Sequence, residues 1–202
     1  MTFDILVNLI PHRLAKFTNL LDVLEPQIVP GVRVLVAYDN LETPWTAKCN
    51  ALQDAATADY VAHIDDDDLV AEDYVSQILQ AISKKPDYVG FKVLWTQDGW
   101  PRLPVIHSLV CAGWQDTPER LLRDITDKNP LRRDLALLAR WEGGNGADRT
   151  WADQLRGNVK TEEFIDKELY FYREETDDTY LTGRIPFVSP PVPPKRPWVT
   201  YI

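Results

Sequence analysis

Hydrophobic residues follow two alternating rhythms along the first half of the chain. Residues 4–10 (DILVNLI) and 32–38 (VRVLVAY) are short runs rich in β-branched side chains, and residues 14–24 between them carry apolar positions at helical spacing. This stretch predicts a β-α-β unit. The rhythm continues with a helix over 45–56, a strand over 60–64, a helix over 72–82 and a strand over 88–95; in the second of these helices Tyr74, Val75, Ile78, Leu79 and Ile82 share one face. Such alternation predicts an α/β domain whose mixed, mostly parallel sheet is flanked by helices, with ligands gathering beyond the carboxyl ends of the strands.

After residue 96 the rhythm weakens. Gln97-Asp98-Gly99-Trp100 reads as a turn, with residues 102–111 as its returning strand. Residues 131–141 and 149–156 read as helices, separated by Glu142-Gly143-Gly144-Asn145-Gly146, where glycine lets the backbone approach a ligand closely. Residues 168–172 read as a last strand, and 189–197 (SPPVPPKRP) as extended chain outside any sheet interior. The expected organisation is one domain over residues 1–188, with a nucleotide- and metal-binding half (1–96) and an acceptor half (97–188), followed by a proline-rich tail (189–202).

Composition narrows the partners. With 202 residues and 45% hydrophobic content, the chain is sized for a single core. A net charge of −9 opposes direct binding to nucleic acid or an anionic membrane, so a phosphate-bearing ligand has to be met by local cations or a metal. Cys49 and Cys111 read as small buried apolar residues. No apolar leader or membrane-length apolar segment is visible, and the expected setting is a reducing cytoplasm.

The densest charge lies in Asp65-Asp66-Asp67-Asp68, directly after an apolar strand. Two carboxylates about 5 Å apart repel by roughly 3 kcal/mol at an effective dielectric near 20, so a compact cluster calls for a positive partner. In an extended segment alternate residues face the same way, which would let Asp65 and Asp67 converge on a hard divalent cation while Asp66 and Asp68 point elsewhere. The competing reading is a solvated acidic loop, with Asp68 helping to begin the next helix.

Four segments, taken in order and spacing, resemble family 2 glycosyltransferases of the GT-A fold, including compact members from bacteria and phages. They are Asn8-Leu9-Ile10-Pro11-His12-Arg13, Val36-Ala37-Tyr38-Asp39-Asn40, Lys48-Cys49-Asn50, and the run from Asp59 to Asp68. The resemblance implies a Rossmann-like fold for nucleotide-diphospho-sugar transfer. It also implies roles: Pro11 and Arg13 shape the nucleotide edge, Asp39 accepts a hydrogen bond from the donor base with uracil favoured, and Lys48 lies near the base or diphosphate. Asp65 and Asp66 contact the donor, and Asp65 and Asp67 hold Mn²⁺ or Mg²⁺, with His107 as an added ligand. The segment Gly143 to Asp153 is similar to the family's Gly-Glu-Asp stretch; Ala147 replaces its Glu, so the catalytic base is Asp148, or Asp153 one turn later.

Each residue also has a structural alternative: a turn cap for Asp39, a surface cation for Lys48, a helix start for Arg13, a helix cap for Asp148, and a hydrogen-bonded strand residue for His107. Trp95, Trp100, Trp114, Trp141 and Trp151 are candidates for stacking on a sugar or for packing. Arg120, Arg123, Arg132 and Arg133 would meet a diphosphate or pair with Asp124 and Asp134. The implied activity is metal-dependent, inverting transfer of a sugar from a nucleotide-diphosphate donor to a hydroxyl on a glycan, protein or lipid. A metal-dependent nucleotidyltransferase and a non-catalytic sugar-nucleotide or metal-binding module are the alternatives.

Overall fold

The protein was analysed as a computed structural model that describes residues 1–176 and 191–202. Strand β1 (Phe3–Leu9) runs through a 3-10 turn (Pro11–Arg13) into helix α1 (Leu14–Leu24). Next come β2 (Val32–Tyr38), α2 (Trp45–Ala55), β3 (Tyr60–His63), the short β4 (Leu69–Val70), α3 (Tyr74–Ile82) and β5 (Tyr88–Gln97). The second half supplies β6 (Trp100–Pro101), β7 (Val105–His107), β8 (Gln115–Asp116), β9 (Leu121–Arg123), β10 (Leu131–Arg132), α4 (Arg133–Ala136), α5 (Ala147–Leu155), β11 (Glu162–Glu174) and β12 (Val199–Tyr201). All the described strands join one mixed sheet in the order β12-β2-β1-β3-β10-β5-β7-β9-β8, with β11 along β5 and β4, and β6 paired to β5.

Both faces of the sheet centre are covered, which is why β1 and β2 read as nearly continuous apolar runs. Phe3, Ile5, Val7 and Leu9 of β1 pack with Phe17, Leu20 and Leu21 of α1 and Val75, Ile78 and Ile82 of α3. Leu6 points the other way and joins Leu52 of α2 and Trp151 and Leu155 of α5 in a second cluster. Cys49 is buried in that second cluster, Cys111 is half-buried, and both are free thiols. No helix among the described residues is long and apolar enough to cross a membrane.

Three expectations change. Residues 131–141 do not form one helix: Leu131 pairs with Val61 of β3 and Tyr88 of β5, and only Arg133–Ala136 turn helically. The open edges of β3 and β5 need a hydrogen-bonding neighbour between them, and that tertiary demand outweighs helical spacing. The last long strand spans Glu162–Glu174, far beyond residues 168–172, because its charged residues hid a segment that pairs in parallel with β5 through two register shifts. Beyond the prolines, Val199–Tyr201 adds to the sheet as an edge strand along β2. The boundary drawn at residues 188 and 189 lies outside the described residues.

Gly90 shows how closely β5 is packed. A Cβ there would meet the Glu162 carboxylate and lie 2.7 Å from the His107 carbonyl oxygen on β7. Gly90→Ala should therefore destabilise the fold by about 1–3 kcal/mol, read as a lower urea midpoint with an unchanged slope. An unchanged midpoint would mean that β7 and β11 shift without cost.

Candidate functional site

Strand β3 ends at His63, and the aspartates that follow fold back as a turn in which the Asp68 N–H donates to the Asp65 carbonyl at 3.2 Å. The expected alternation, with Asp65 and Asp67 sharing one direction, does not hold because the segment is no longer extended. Each carboxylate finds its own partner. Asp65 accepts from the Lys128 ammonium at 2.7 Å. Asp66 accepts from the Ile10 N–H at 3.2 Å and from Arg13 at 3.1 Å, and the same guanidinium reaches Asp67 at 2.9 Å. Asp68 is completely buried, accepting from the Tyr170 hydroxyl at 2.6 Å and the Arg173 N–H at 2.8 Å. Tyr170 Oη in turn accepts from the Asp65 N–H at 3.1 Å, and Arg173 Nε donates to the Asp67 carbonyl at 2.9 Å.

The charges respond to this arrangement. Burial works to raise the Asp65 pKa, but Lys128 prevails and holds it below the ordinary value. Burial raises Asp66 to about 7 against the opposing pull of Arg13, and also raises Asp67. Burial, with Asp65 and Asp67 adding to it, lifts Asp68 well above the carboxylate range. Burial opposes the charge on Lys128, yet Asp127 and Asp65 keep its ammonium firmly protonated.

A cavity of about 490 Å³ opens beside this turn. Its charged wall comprises Arg13, Asp65, Asp127, Lys128, Asp148, Arg123 and His107; its apolar wall is built from Val93 and Trp95 of β5, Val105 of β7, Leu121 of β9, Trp114, and Tyr170 and Tyr172 of β11. Trp45, at the first turn of α2, also lines the cavity and meets Trp141 edge-on, with ring centroids 5.2 Å apart. Trp141 stacks on Trp151 at 5.1 Å, one turn after Asp148 on α5.

Of the residues singled out from sequence, the cavity brings together Arg13, Asp65, His107 and Asp148. Asp148 is the second residue of α5, after Gly146 in the left-handed conformation; it accepts from the Arg149 N–H at 2.8 Å, and burial raises its pKa. Asp66 and Asp67 reach the cavity only through Arg13. Pro11 is buried at the start of the 3-10 turn that presents Arg13. Asp39 and Lys48 pair at 2.8 Å just outside the lining, with Asp39 also accepting from the Thr43 N–H at 2.7 Å. Lys48 is buried, not a surface cation. Asp153 lies exposed, bonded to Arg156, and does not reach the cavity.

His107 is held by Asn129, whose amide nitrogen donates to the Val89 carbonyl and whose Oδ1 lies 2.6 Å from His107 Nδ1. The hydrogen therefore sits on Nδ1, leaving a lone pair on Nε2, and burial depresses the ring pKa to about 4. Among the described residues no three or more His, Cys, Asp or Glu side chains form a group that could hold a metal ion. The expected set of Asp65, Asp67 and His107 is thus not assembled, since the turn commits Asp67 to Arg13 and Asn129 anchors His107 on a separate strand.

Trp95 and Trp114 line the cavity, whereas Trp141 and Trp151 are core and Trp100 is exposed. Arg123 reaches the cavity and Arg132 is tied to Asp87 and Asp134. Sequence reasoning passed over Asp127, Lys128, Tyr170 and Arg173. The polar segment Thr126-Asp127-Lys128-Asn129-Pro130 was the available signal for the first two.

The family model for glycosyl transferase family 2 matches residues 12–155, and the chain belongs to this family. Among solved structures it is similar to S. aureus TarS residues 1–349, with a TM-score of 0.67 and 16% identity over 86% of this chain and 60% of that one. The same TarS segment in complex with UDP-GlcNAc gives 0.68 and 15% over 92% and 62%, and in complex with UDP it gives 0.67 and 17% over 90% and 63%. At this identity the likeness establishes the fold, which is GT-A. The chain spans about three fifths of the length of those TarS segments. No curated protein matches its sequence.

Tyr170 connects the acidic turn to β11 through both Asp65 and Asp68. Tyr170→Phe should cost about 1–3 kcal/mol of stability, because a buried carboxyl and a backbone N–H lose their shared partner. Chemical denaturation measures this directly, and a variant as stable as the parent would show the link to be dispensable.

Proposed function

We propose that this protein transfers a sugar from a nucleoside diphosphate donor to an acceptor hydroxyl, with inversion and with the help of Mn²⁺ or Mg²⁺. The observation that carries this reading is one cavity lined by both Asp65, on the turn after β3, and Asp148, at the start of α5. UDP-GlcNAc and UDP bound to TarS support a uridine nucleotide as donor.

The metal has to be reconciled with the donor set. A hard cation such as Mg²⁺ is commonly held by one or two carboxylates together with substrate phosphates, so a three-ligand protein cage is not required. Asp65 fits that arrangement: it lines the cavity with its carboxylate held ionised, and a metal there would take the place of the Lys128 ammonium that it now meets. Asp67, now bonded to Arg13 at 2.9 Å and outside the cavity lining, would serve as the second carboxylate on releasing that guanidinium. Bound there, the cation would offset the negative charge that grows on the departing diphosphate.

The remaining roles fall to this chain's own groups. Asp148 accepts the proton of the acceptor hydroxyl as the new C–O bond forms; the burial that raises its pKa also makes it a stronger base. A base acting opposite the leaving group gives direct displacement and hence inversion. Arg13 presents a guanidinium to the nucleotide side, oriented by Asp66 and Asp67. Asp39 and Lys48, paired beside the start of α2, supply the contacts to base and diphosphate.

Turnover with UDP-sugars and Mn²⁺ or Mg²⁺ should release UDP and stop in EDTA. Asp65→Ala should lose transfer, and Asp148→Asn should lose it by roughly 10²–10⁴-fold while still binding donor in calorimetry. Full transfer by either variant would reject its assigned role, and release of pyrophosphate would replace sugar transfer with nucleotidyl transfer. Because Asp148 must be ionised to act and its pKa is raised, transfer should fall as pH drops through a point above the ordinary Asp value. A pH profile flat across that region would move the base elsewhere.

A further inference from the structure

Lys128 is a cation at the centre of the site that the functional reading leaves without a task. Its Nζ lies 2.7 Å from Asp65 and 3.1 Å from Asp127, and all three residues line the cavity. The position is built from the backbone outwards. The Asp127 carbonyl accepts from the His63 N–H at 2.8 Å, at the end of β3. Asn129, fully buried, donates to the Val89 carbonyl on β5 and meets both His107 and Thr126. Residues 126–129 are therefore clamped between the two strands whose carboxyl ends form the site, and the clamp presents Lys128 inward. A solvated lysine that met a carboxylate by chance would have no such support and would gain little from the pair.

Resting on the reading of Asp65 as the metal carboxylate, we propose that Lys128 is the site's resident counter-cation and exchanges partners during donor binding. Without donor it occupies Asp65 in competition with a divalent cation. When the cation takes Asp65, the ammonium, still held by Asp127, is released to the diphosphate. Lysine suits both states, since its three donors on a flexible stem serve two carboxylates or carboxylate and phosphate equally. The exchange keeps positive charge on Asp65 throughout, and it gives the diphosphate a cation in addition to the metal.

This makes two ligands respond oppositely to one substitution, which a merely structural lysine would not do. Lys128→Met should tighten Mn²⁺ binding in the absence of nucleotide, followed by electron paramagnetic resonance, by about tenfold, because the competitor is gone. It should weaken UDP binding at saturating Mn²⁺, followed by calorimetry, also by about tenfold, because the charge-assisted phosphate contact made by the released ammonium is lost. Lys128→Arg should return both affinities toward the parent, and Lys128→Gln provides the neutral comparison if the methionine variant does not fold.

Unchanged or weaker Mn²⁺ binding in a folded neutral variant, with Asp65→Asn abolishing Mn²⁺ binding, would overturn the exchange while leaving the metal assignment intact. Mn²⁺ binding indifferent to Asp65→Asn would instead overturn the metal assignment and the competition with it. Unchanged UDP affinity at saturating Mn²⁺ would remove the phosphate role of Lys128 by itself.

Discussion

Four adjacent carboxylates at the end of a buried strand set the constraint on which the rest of this structure depends. Left together without compensation they would repel by several kcal/mol, and each buried one would also lose its hydration. The fold meets this by drawing partners from three separate parts of the chain: Arg13 after β1, shared by Asp66 and Asp67, Lys128 before β10 for Asp65, and Tyr170 and Arg173 on β11 for Asp68. None of these partners lies within fifty residues of the turn. The acidic turn is therefore a knot of long-range contacts, and the first-half sheet and the second-half strands must both be in place before it is satisfied.

The same constraint explains the course of the second half. β11 has to run beside β5 over its whole length to bring Tyr170 and Arg173 to Asp68, and it accommodates two register shifts on the way. β10 has to wedge between β3 and β5, because the segment just before it carries Asp127 and Lys128 to the carboxyl end of β3 while bonding to Val89 near the start of β5. Helix α5 packs through Trp151 on Trp141, and Asp148, one turn earlier on that helix, lines the cavity. Asp65 and Asp148 consequently line one cavity although they come from different halves of the chain.

What was legible in the sequence was the local part. Alternating apolar runs fixed β1, α1, β2, α2, β3 and α3 to within a few residues, since these elements bury one face or both and their spacing records it. The turn chemistry of Asp98-Gly99 was equally plain: both residues take positive φ in the β5–β6 hairpin. What escaped was set by partners remote in sequence. Leu131 looked helical from its neighbours but is claimed by two unfilled strand edges, and β11 looked too charged for a strand because its burial is confined to residues such as Leu169 and Tyr170. The candidate site divides in the same way. The acidic turn stood out by composition and position, and Asp148 by the family resemblance of its glycine-led segment, whereas Lys128 is one lysine among many until the fold encloses it between Asp65 and Asp127. The direction of each aspartate was unreadable because it depends on a turn that only those partners define.

A chain of net charge −9 presents an unfavourable long-range field to any anionic ligand, so attraction of a diphosphate has to be local. At physiological ionic strength the screening length is about 8 Å, comparable with the span of a nucleoside diphosphate site, and the cations that matter are those lining the cavity itself. Arg13 and Lys128 are each already bonded to carboxylates, so their charge is held in position at little cost in order when the donor arrives. On the proposed reading, donor binding would amount to partner exchange within a preassembled set of charges. The apolar wall of Val93, Trp95, Val105, Trp114 and Leu121 stands apart from those charges and gives the same cavity a surface suited to non-polar contact.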